Sequence, residues 1–356
     1  MALFIDHGIA TWNAWRANNG HNTSEEILSY VKKYDLQKVI FYSQYEWAYW
    51  PDWPLSQAFY EIAHELYVQN KKLTVVTGAN EFFVKRPFFN IDLHFYPEHT
   101  MARQYYNIFD KDRLAKHGVT REQRVISNIE NIDYKYHFVS LNRRAHYHRM
   151  EMLDLLCKHN LIDNNAISWI GEAPFGYEYK YWTPKIMTLT DNFTEDLDQS
   201  VFPAEYYNSF AQLVIESSTE ALIVTDKTAA ALIIGKPFLV ASCPFFHEHL
   251  QSMGFELYNE IFDYSFDKVY NQTKRFDMIA ENLVNLSKIP NSELRNLASK
   301  IRDKVEHNKK VFEKIVFDFD RFPEPIKLAI DLYENQGIEI DHLTIVHWKK
   351  LKEMSK

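Results

Sequence analysis

The chain has 356 residues, 46% of them apolar, which is enough for about two domains of ~150 residues with cores of their own and excludes a disordered chain. Aromatics reach 15% against only 9 Gly, so collagen-like and glycine-linker architectures are excluded, and neither G-x-G-x-x-G nor G-x-x-x-x-G-K-[ST] occurs. A formal charge of −8 argues against a surface coated in basic residues for indiscriminate nucleic-acid binding, although a local basic groove fits within that balance.

Short β-rich runs alternate with longer helical patterns, the signature of an α/β protein with parallel layers. KVIFYS at 38–43 reads as a buried strand, 55–69 as an amphipathic helix, and KKLTVVT at 71–77 and residues 91–96 as further strands. Polar, Asn- and Asp-bearing chain between 113 and 133 marks a boundary, placed near residue 130. The pattern resumes with a strand, YHFVSL, at 136–141, a helix over 149–159 and a strand, AISWI, at 166–170. AQLVIE at 211–216 follows, then a helix over 227–234, a strand, PFLVA, at 237–241, and helices over 246–253 and 275–286. After Pro290 a long charged helix, 293–317, leads to a Pro-bearing turn, a last helix and a Lys-bearing tail. The expected division is 1–130, 131–320 and 321–356, the first two Rossmann-like and the third a C-terminal helix and tail.

Cys157 and Cys243 give neither a disulfide framework nor a zinc spacing, which points to a reducing compartment. The opening MALFIDHGIATW has no basic n-region, and no run of ~18 apolar residues occurs. A soluble cytoplasmic protein without a membrane partner is expected.

The most informative segment is FVSLNRRAHYHRMEMLDLL at 138–156. An apolar strand ends in a short polar loop with Asn142, Arg143, Arg144, His146, His148 and Arg149, and an amphipathic helix begins there. Ligands of parallel sheets bind at the carboxyl ends of strands, helix N-termini favour anions, and guanidinium binds phosphate oxygens bidentately. Three arginines at such a place suggest a phosphate or diphosphate. Residues 213–242 repeat the grammar: a strand ends at Glu216 and Ser217, and Thr225, Asp226, Lys227 and Thr228 open a helix of small residues. Carboxylates there suit ribose hydroxyls and a lysine suits phosphate, while Thr225 or Asp226 would serve equally as an ordinary helix cap.

In order and content the two segments resemble the C-terminal donor domain of the alpha-1,3-fucosyltransferases and related viral and phage glycosyltransferases. That family has a strand, S-N, and an arginine opening a helix. A strand ending E-N-S then precedes T-E-K, an apolar helix and a P-[VF]-[VI] strand. The matching places are Ser140 to Arg149, Glu216-Ser217, Thr225-Asp226-Lys227, and Lys236-Pro237-Phe238-Leu239-Val240; HLQSMGFELYNEIFDYSFD at 249–267 is also similar to the phage relatives. The resemblance spans residues 136–290. It implies a two-lobed, GT-B-like glycosyltransferase whose C-terminal domain holds a nucleotide-sugar, with inverting, metal-independent chemistry and no cofactor beyond that co-substrate. Donor contacts would then come from Asn142, Arg143, Arg144, Arg149, Glu216, Ser217, Thr225, Asp226, Lys227 and Thr228. Two departures, Asp226 for the family's glutamate and Ser217 for its asparagine, leave the nucleotide base unassigned.

Inverting transfer needs a base for the acceptor proton, and Glu46, in the aromatic loop SQYEWAYWPDWP, is the candidate, with Glu81, Asp6 and His7 as rivals. The D-x-D strings at 196–198 and 318–320 match on two residues only, which chance supplies often, and the histidine pairs at 146/148 and 247/249 have no matched third ligand nearby in sequence, so no metal is expected. Expected partners are the nucleotide-sugar and an acceptor, either a saccharide or a hydroxymethylated base in phage DNA. DNA would meet the basic residues of 300–314 and 349–356 and stack on Trp47, Tyr49, Trp50 and Trp53. The alternative is a non-catalytic protein that keeps the donor pocket and only binds nucleotide-sugar.

Overall fold

The computed structural model describes residues 2–6, 28–29, 32–33, 38–43, 54–77, 91–95, 98–116, 118–143, 145–169, 180–181, 202–322, 324, 327 and 352–354. They fall into two compact units, Met1–Arg103 with Val316–Lys356, and Gln104–Ile315.

The first unit holds a parallel sheet of β1 (Ala2–Asp6), β2 (Lys38–Ser43), β3 (Lys72–Thr77) and β4 (Ile91–Phe95), in the order β1-β2-β3-β4. Its register runs Ala2↔Lys38, Lys38↔Lys72 and Leu73↔Ile91. Parallel neighbours need a crossover, which α1 (Pro54–Val68) supplies between β2 and β3, burying Ile62, Ala63 and Leu66 on one face.

Three elements open or bridge the second unit: α2 (Glu98–Phe109), whose first residues belong to the first unit, α3 (Lys111–Lys116) and α4 (Arg121–Arg124). Its parallel sheet comprises β5 (Tyr136–Asn142), β6 (Ala166–Trp169), β7 (Ser209–Ile215) and β8 (Phe238–Ala241), in the order β6-β5-β7-β8. All seven residues of β7 are buried, as an interior strand covered on both faces requires. The remaining helices are α5 (Tyr147–Lys158), α6 (Ala204–Tyr207), α7 (Asp226–Ile234), α8 (Phe246–Ser252), α9 (Gln272–Ser287) and α10 (Asn291–Phe317).

Two details show how sequence fixes this packing. Gly235 ends α7 at φ 86°, a left-handed conformation that favours glycine, and a Cβ there would press on Val305 Cγ1 at 3.1 Å and Lys309 Cδ at 3.2 Å of α10. Along α10, Leu294, Ala298, Ile301, Val305, Asn308, Phe312 and Ile315 form one buried stripe. The single polar member, Asn308, is matched on both sides of its amide: Oδ1 accepts from Glu256 N at 2.8 Å, and Nδ2 donates to Glu256 O at 2.9 Å and to Tyr258 Oη at 3.1 Å.

Residues 104–130 are tied into the second unit. Ile126 N donates to Ile234 O at 2.8 Å, Lys309 Nζ donates to Ile126 O at 3.0 Å, and Arg121 pairs with Glu313 at 3.0 Å. Within 113–133 lie the end of α3 and all of α4. Residues 316–356 group with the first unit, and most of 321–356 lies outside the described residues. Among the described residues no helix is long and apolar enough to cross a membrane.

Candidate functional site

Strand order defines the place. From β5 the chain steps to β6 on one side, then crosses back so that β7 and β8 lie on the other, making the gap between the carboxyl ends of β5 and β7 the topological switch point. The helices that follow those strands, α5 and α7, both begin there.

Glu216, immediately after β7, is 0% exposed and faces inward. Its Oε1 accepts from Thr225 N at 3.2 Å and Thr228 Oγ1 at 2.5 Å, and its Oε2 accepts from Thr225 Oγ1. Burial raises its pKa, while Lys227 and the two threonine hydroxyls pull the other way. The carboxylate thus acts as a buried bracket for the first turn of α7, which Thr225 caps by accepting from Lys227 N at 3.3 Å. Asp226 and Lys227 stay partly accessible, at 26% and 23%, and pair at 3.1 Å. Ser217 is likewise half-buried.

On the β5 side, Asn142 is buried, its N–H donating to Ser168 Oγ of β6 at 3.1 Å and its Nδ2 to Ser140 Oγ at 3.1 Å. Arg143 is exposed. Arg149 is 2% exposed, its Nε donating to Ile215 O at the end of β7 at 3.2 Å. His148 lies beside it, with Nε2 2.7 Å from Glu216 O. A carbonyl only accepts, so Nε2 carries the proton and Nδ1 the lone pair. Burial, with the Arg149 cation adding to it, pushes the His148 pKa down to about 4, and the ring is neutral at physiological pH.

The ten residues expected to line a donor pocket therefore divide. Arg143, Ser217, Asp226 and Lys227 retain accessible surface, whereas Asn142, Arg149, Glu216, Thr225 and Thr228 are buried. Arg144 and Glu46, together with Glu81, His7, the aromatic loop around Trp47 and the 196–198 string, lie outside the described residues, and for Asp6 only the backbone is described.

His247 Nδ1 is 2.9 Å from Asp267 Oδ1 and its Nε2 accepts from Val240 N at 3.2 Å, so both ring nitrogens are occupied. Asp318 pairs with Arg321 at 3.1 Å. Among the described residues no group of three or more His, Cys, Asp or Glu side chains is placed to hold a metal ion.

The same edge holds residues that sequence reasoning passed over. Arg275, in the first turn of α9 and 2% exposed, donates from Nε to Ser242 O after β8 at 2.9 Å and from Nη1 to Val269 O at 2.6 Å and Tyr270 O at 3.2 Å. Gln272 Nε2 donates to Glu151 of α5 at 2.7 Å, and Thr219 after β7 donates to Gln272 Oε1 at 2.5 Å. The start of α9 is thus fastened to α5 and to the loops after β7 and β8. The only sequence signal for Arg275 is a cation adjoining the apolar stripe Phe276, Ile279, Leu283 and Leu286.

What the fold defines is a parallel α/β unit with a topological switch point between β5 and β7. No protein-family model matches the chain, and no curated protein matches it. A crystal structure of an alpha1,3-fucosyltransferase aligns with 87% of this chain and 92% of that chain at 13% identity and a TM-score of 0.37. So distant a likeness carries no argument about chemistry, which rests on the residues themselves.

Proposed function

We propose that this protein is a glycosyltransferase that moves a sugar from a nucleotide-sugar to an acceptor hydroxyl, with the donor held by the second unit. The observation that carries the reading is the meeting of two helix starts and their cations, Arg143 before α5 and Lys227 in α7, at the switch point between β5 and β7. Backbone N–H groups and helix dipoles at such a place favour a diphosphate, and the sequence likeness of residues 136–290 to fucosyltransferase donor domains supplies the sugar.

In this reading Arg143 and Lys227, with Arg144, meet the diphosphate, and Asp226 and Ser217 accept from ribose hydroxyls. Arg149, Glu216, Thr225, Thr228 and Asn142 hold these groups in place from beneath. The acceptor oxygen bonds to the anomeric carbon as the bond from that carbon to the diphosphate oxygen breaks, its electron pair leaving with the diphosphate. The acceptor proton passes to a carboxylate of the first unit, for which Glu46 is the candidate. Cationic side chains stabilise the leaving group in the role a metal ion fills elsewhere. A saccharide is favoured as acceptor over DNA, because basic residues of α10 are engaged within the second unit. Lys304 bonds Leu257 O and Glu260, both at 2.9 Å, Lys309 pairs with Glu306 at 2.5 Å, and Arg302 lies 3.7 Å from Glu130.

The test is a thermal-shift panel of nucleotide-sugars on the wild type and Lys227→Ala. A true donor at 100 times its Kd adds about 2.7 kcal/mol of apparent stability, and Lys227→Ala should weaken that donor by about 2 kcal/mol, the scale of a charge-assisted contact. A panel in which no nucleotide-sugar shifts the transition, or a folded Lys227→Ala that binds as well as wild type, overturns the reading.

A further inference from the structure

The loop after β8 breaks two local rules at one residue. Phe245 takes the N-cap position of α8 with φ 64° and ψ 17°, a left-handed conformation that a bulky residue adopts only at a cost of order 1–2 kcal/mol. A phenyl ring cannot cap a helix, and the duty falls to a carboxylate elsewhere: Asp267 accepts from His247 N through Oδ1 and from Glu248 N through Oδ2, both at 3.0 Å. Asp267 also fixes the strained turn, since its carbonyl accepts from Phe245 N at 2.7 Å. Glycine would suit that backbone and serine or aspartate that cap, so an aromatic ring there runs against local preference.

The ring is not buried in recompense. Phe245 is 36% exposed, and it meets edge-to-face, at 5.7 Å between centroids, the ring of Tyr270, which is 78% exposed. Most aromatics of this unit lie in the core, so a paired, solvent-facing couple at the carboxyl edge stands apart. The Arg275 guanidinium bridges Ser242 O and the carbonyls of Val269 and Tyr270, locking together the two segments that bear the rings. Strand β8 adjoins and parallels β7, so the loop after β8 that carries Phe245 leaves the same edge of the sheet as the loop after β7 that leads to α7 and Lys227.

We propose that Phe245 and Tyr270 form a preorganised stacking platform for the nucleobase of the donor. The inference rests on the proposed donor site and deepens it: the diphosphate lies at the starts of α5 and α7, and the nucleoside runs outward along the edge toward β8. A planar base presents a π-face to a ring whatever its hydrogen-bonding pattern, so the platform supplies affinity.

Calorimetric titration with UDP, GDP, ADP, CDP and inorganic pyrophosphate, on wild type, Phe245→Gly and Tyr270→Ala, tests it. Phe245→Gly removes the ring and relieves the left-handed strain, so its Tm should be no lower than that of wild type; Tyr270 is too exposed for its truncation to unfold the chain. Both variants should bind the preferred nucleoside diphosphate about tenfold or more weakly, with pyrophosphate affinity unchanged. If wild type binds a nucleoside diphosphate and both variants bind it equally well, the platform is wrong and the donor site stands. Equal losses for pyrophosphate and nucleotide would mean that the rings merely hold the loops, and would also overturn the platform. If wild type binds neither nucleoside diphosphates nor pyrophosphate, the donor reading itself fails.

Discussion

The two edges of the second unit's sheet each bury an ion, and they treat it in opposite ways. At the carboxyl edge Glu216 is met by three donors from Thr225 and Thr228, with the Lys227 cation nearby. At the amino edge Lys236, just before β8, is 1% exposed, donates to Ser209 O and lies 5.0 Å from the Tyr206 ring centroid, with no carboxylate within ion-pair distance among the described residues. Burial alone pushes the Lys236 pKa down to about 7. A buried charge with a full set of partners acts as a bracket that shapes the edge where a ligand would sit. A buried charge with a carbonyl and an aromatic face is held near neutrality, and makes stability depend on pH.

Glu216→Ala should give the largest effect. It strips the acceptor from three donors in a site closed to water, and a loss of about 3 kcal/mol is expected in urea unfolding at unchanged m-value. Glu216→Gln keeps an oxygen for Thr225 N and Thr228 and should lose less. If Glu216 is a ribose ligand, as the motif suggests, Glu216→Gln leaves stability intact and abolishes donor binding; that result would dissolve the contrast between bracket and ligand.

The second prediction concerns the other edge. With a folded pKa of about 7 against an ordinary 10.5, the unfolded chain holds a proton that the folded chain has released. Stability contributed by this site therefore rises with pH between those values, by up to about 1.4 kcal/mol per unit. Buried Cys243, with its thiol pushed up to about 11, acts in the opposite sense as pH passes its ordinary 9.0, so the clean window is pH 7 to 8.5. Wild type should gain stability across that window relative to Lys236→Met, which removes the ammonium and keeps most of the stem's packing. Parallel stability curves for the two proteins would show that Lys236 stays charged in the fold.

Strand positions were legible where an apolar run is bounded by polar chain: residues 38–43 form β2 over that range, and 71–77 differs from β3 by one residue. Elements with weaker contrast escaped. Five residues, ALFID, make β1 with no turn signal before them, and the apolar face of α2 is interrupted by buried Gln104 and Asn107. The bond from Ile126 to Ile234 joins residues over a hundred positions apart, beyond any local pattern. At the edge, spacing located the loops that carry Asn142, Glu216 and Lys227 but not which side chains turn inward. That depends on Thr225 and Thr228 reaching back to Glu216, and on Ile215 O capturing Arg149. The Phe245–Tyr270 pair had no local signature either, since its exposure is set by Asp267 and Arg275 from later in the chain.

The smallest effect expected is at Asp226, and its sign carries the information. Asp226 opens α7, where a carboxylate complements the helix dipole, so Asp226→Asn should cost only about 0.5 kcal/mol of stability. The same carboxylate lies 3.1 Å from Lys227 Nζ and competes with any anion for that cation. Removing its charge should tighten inorganic pyrophosphate several-fold, more at low salt than at high salt, because the pair is partly solvated. A nucleoside diphosphate should not share the gain, because it would lose the acceptor for its ribose hydroxyls as it gains the unpaired lysine. Calorimetry on the two ligands side by side separates these contributions. Equal tightening for both would leave Asp226 as a dipole partner with no hold on ribose, and would move the ribose contact to Ser217 and the loop that carries it.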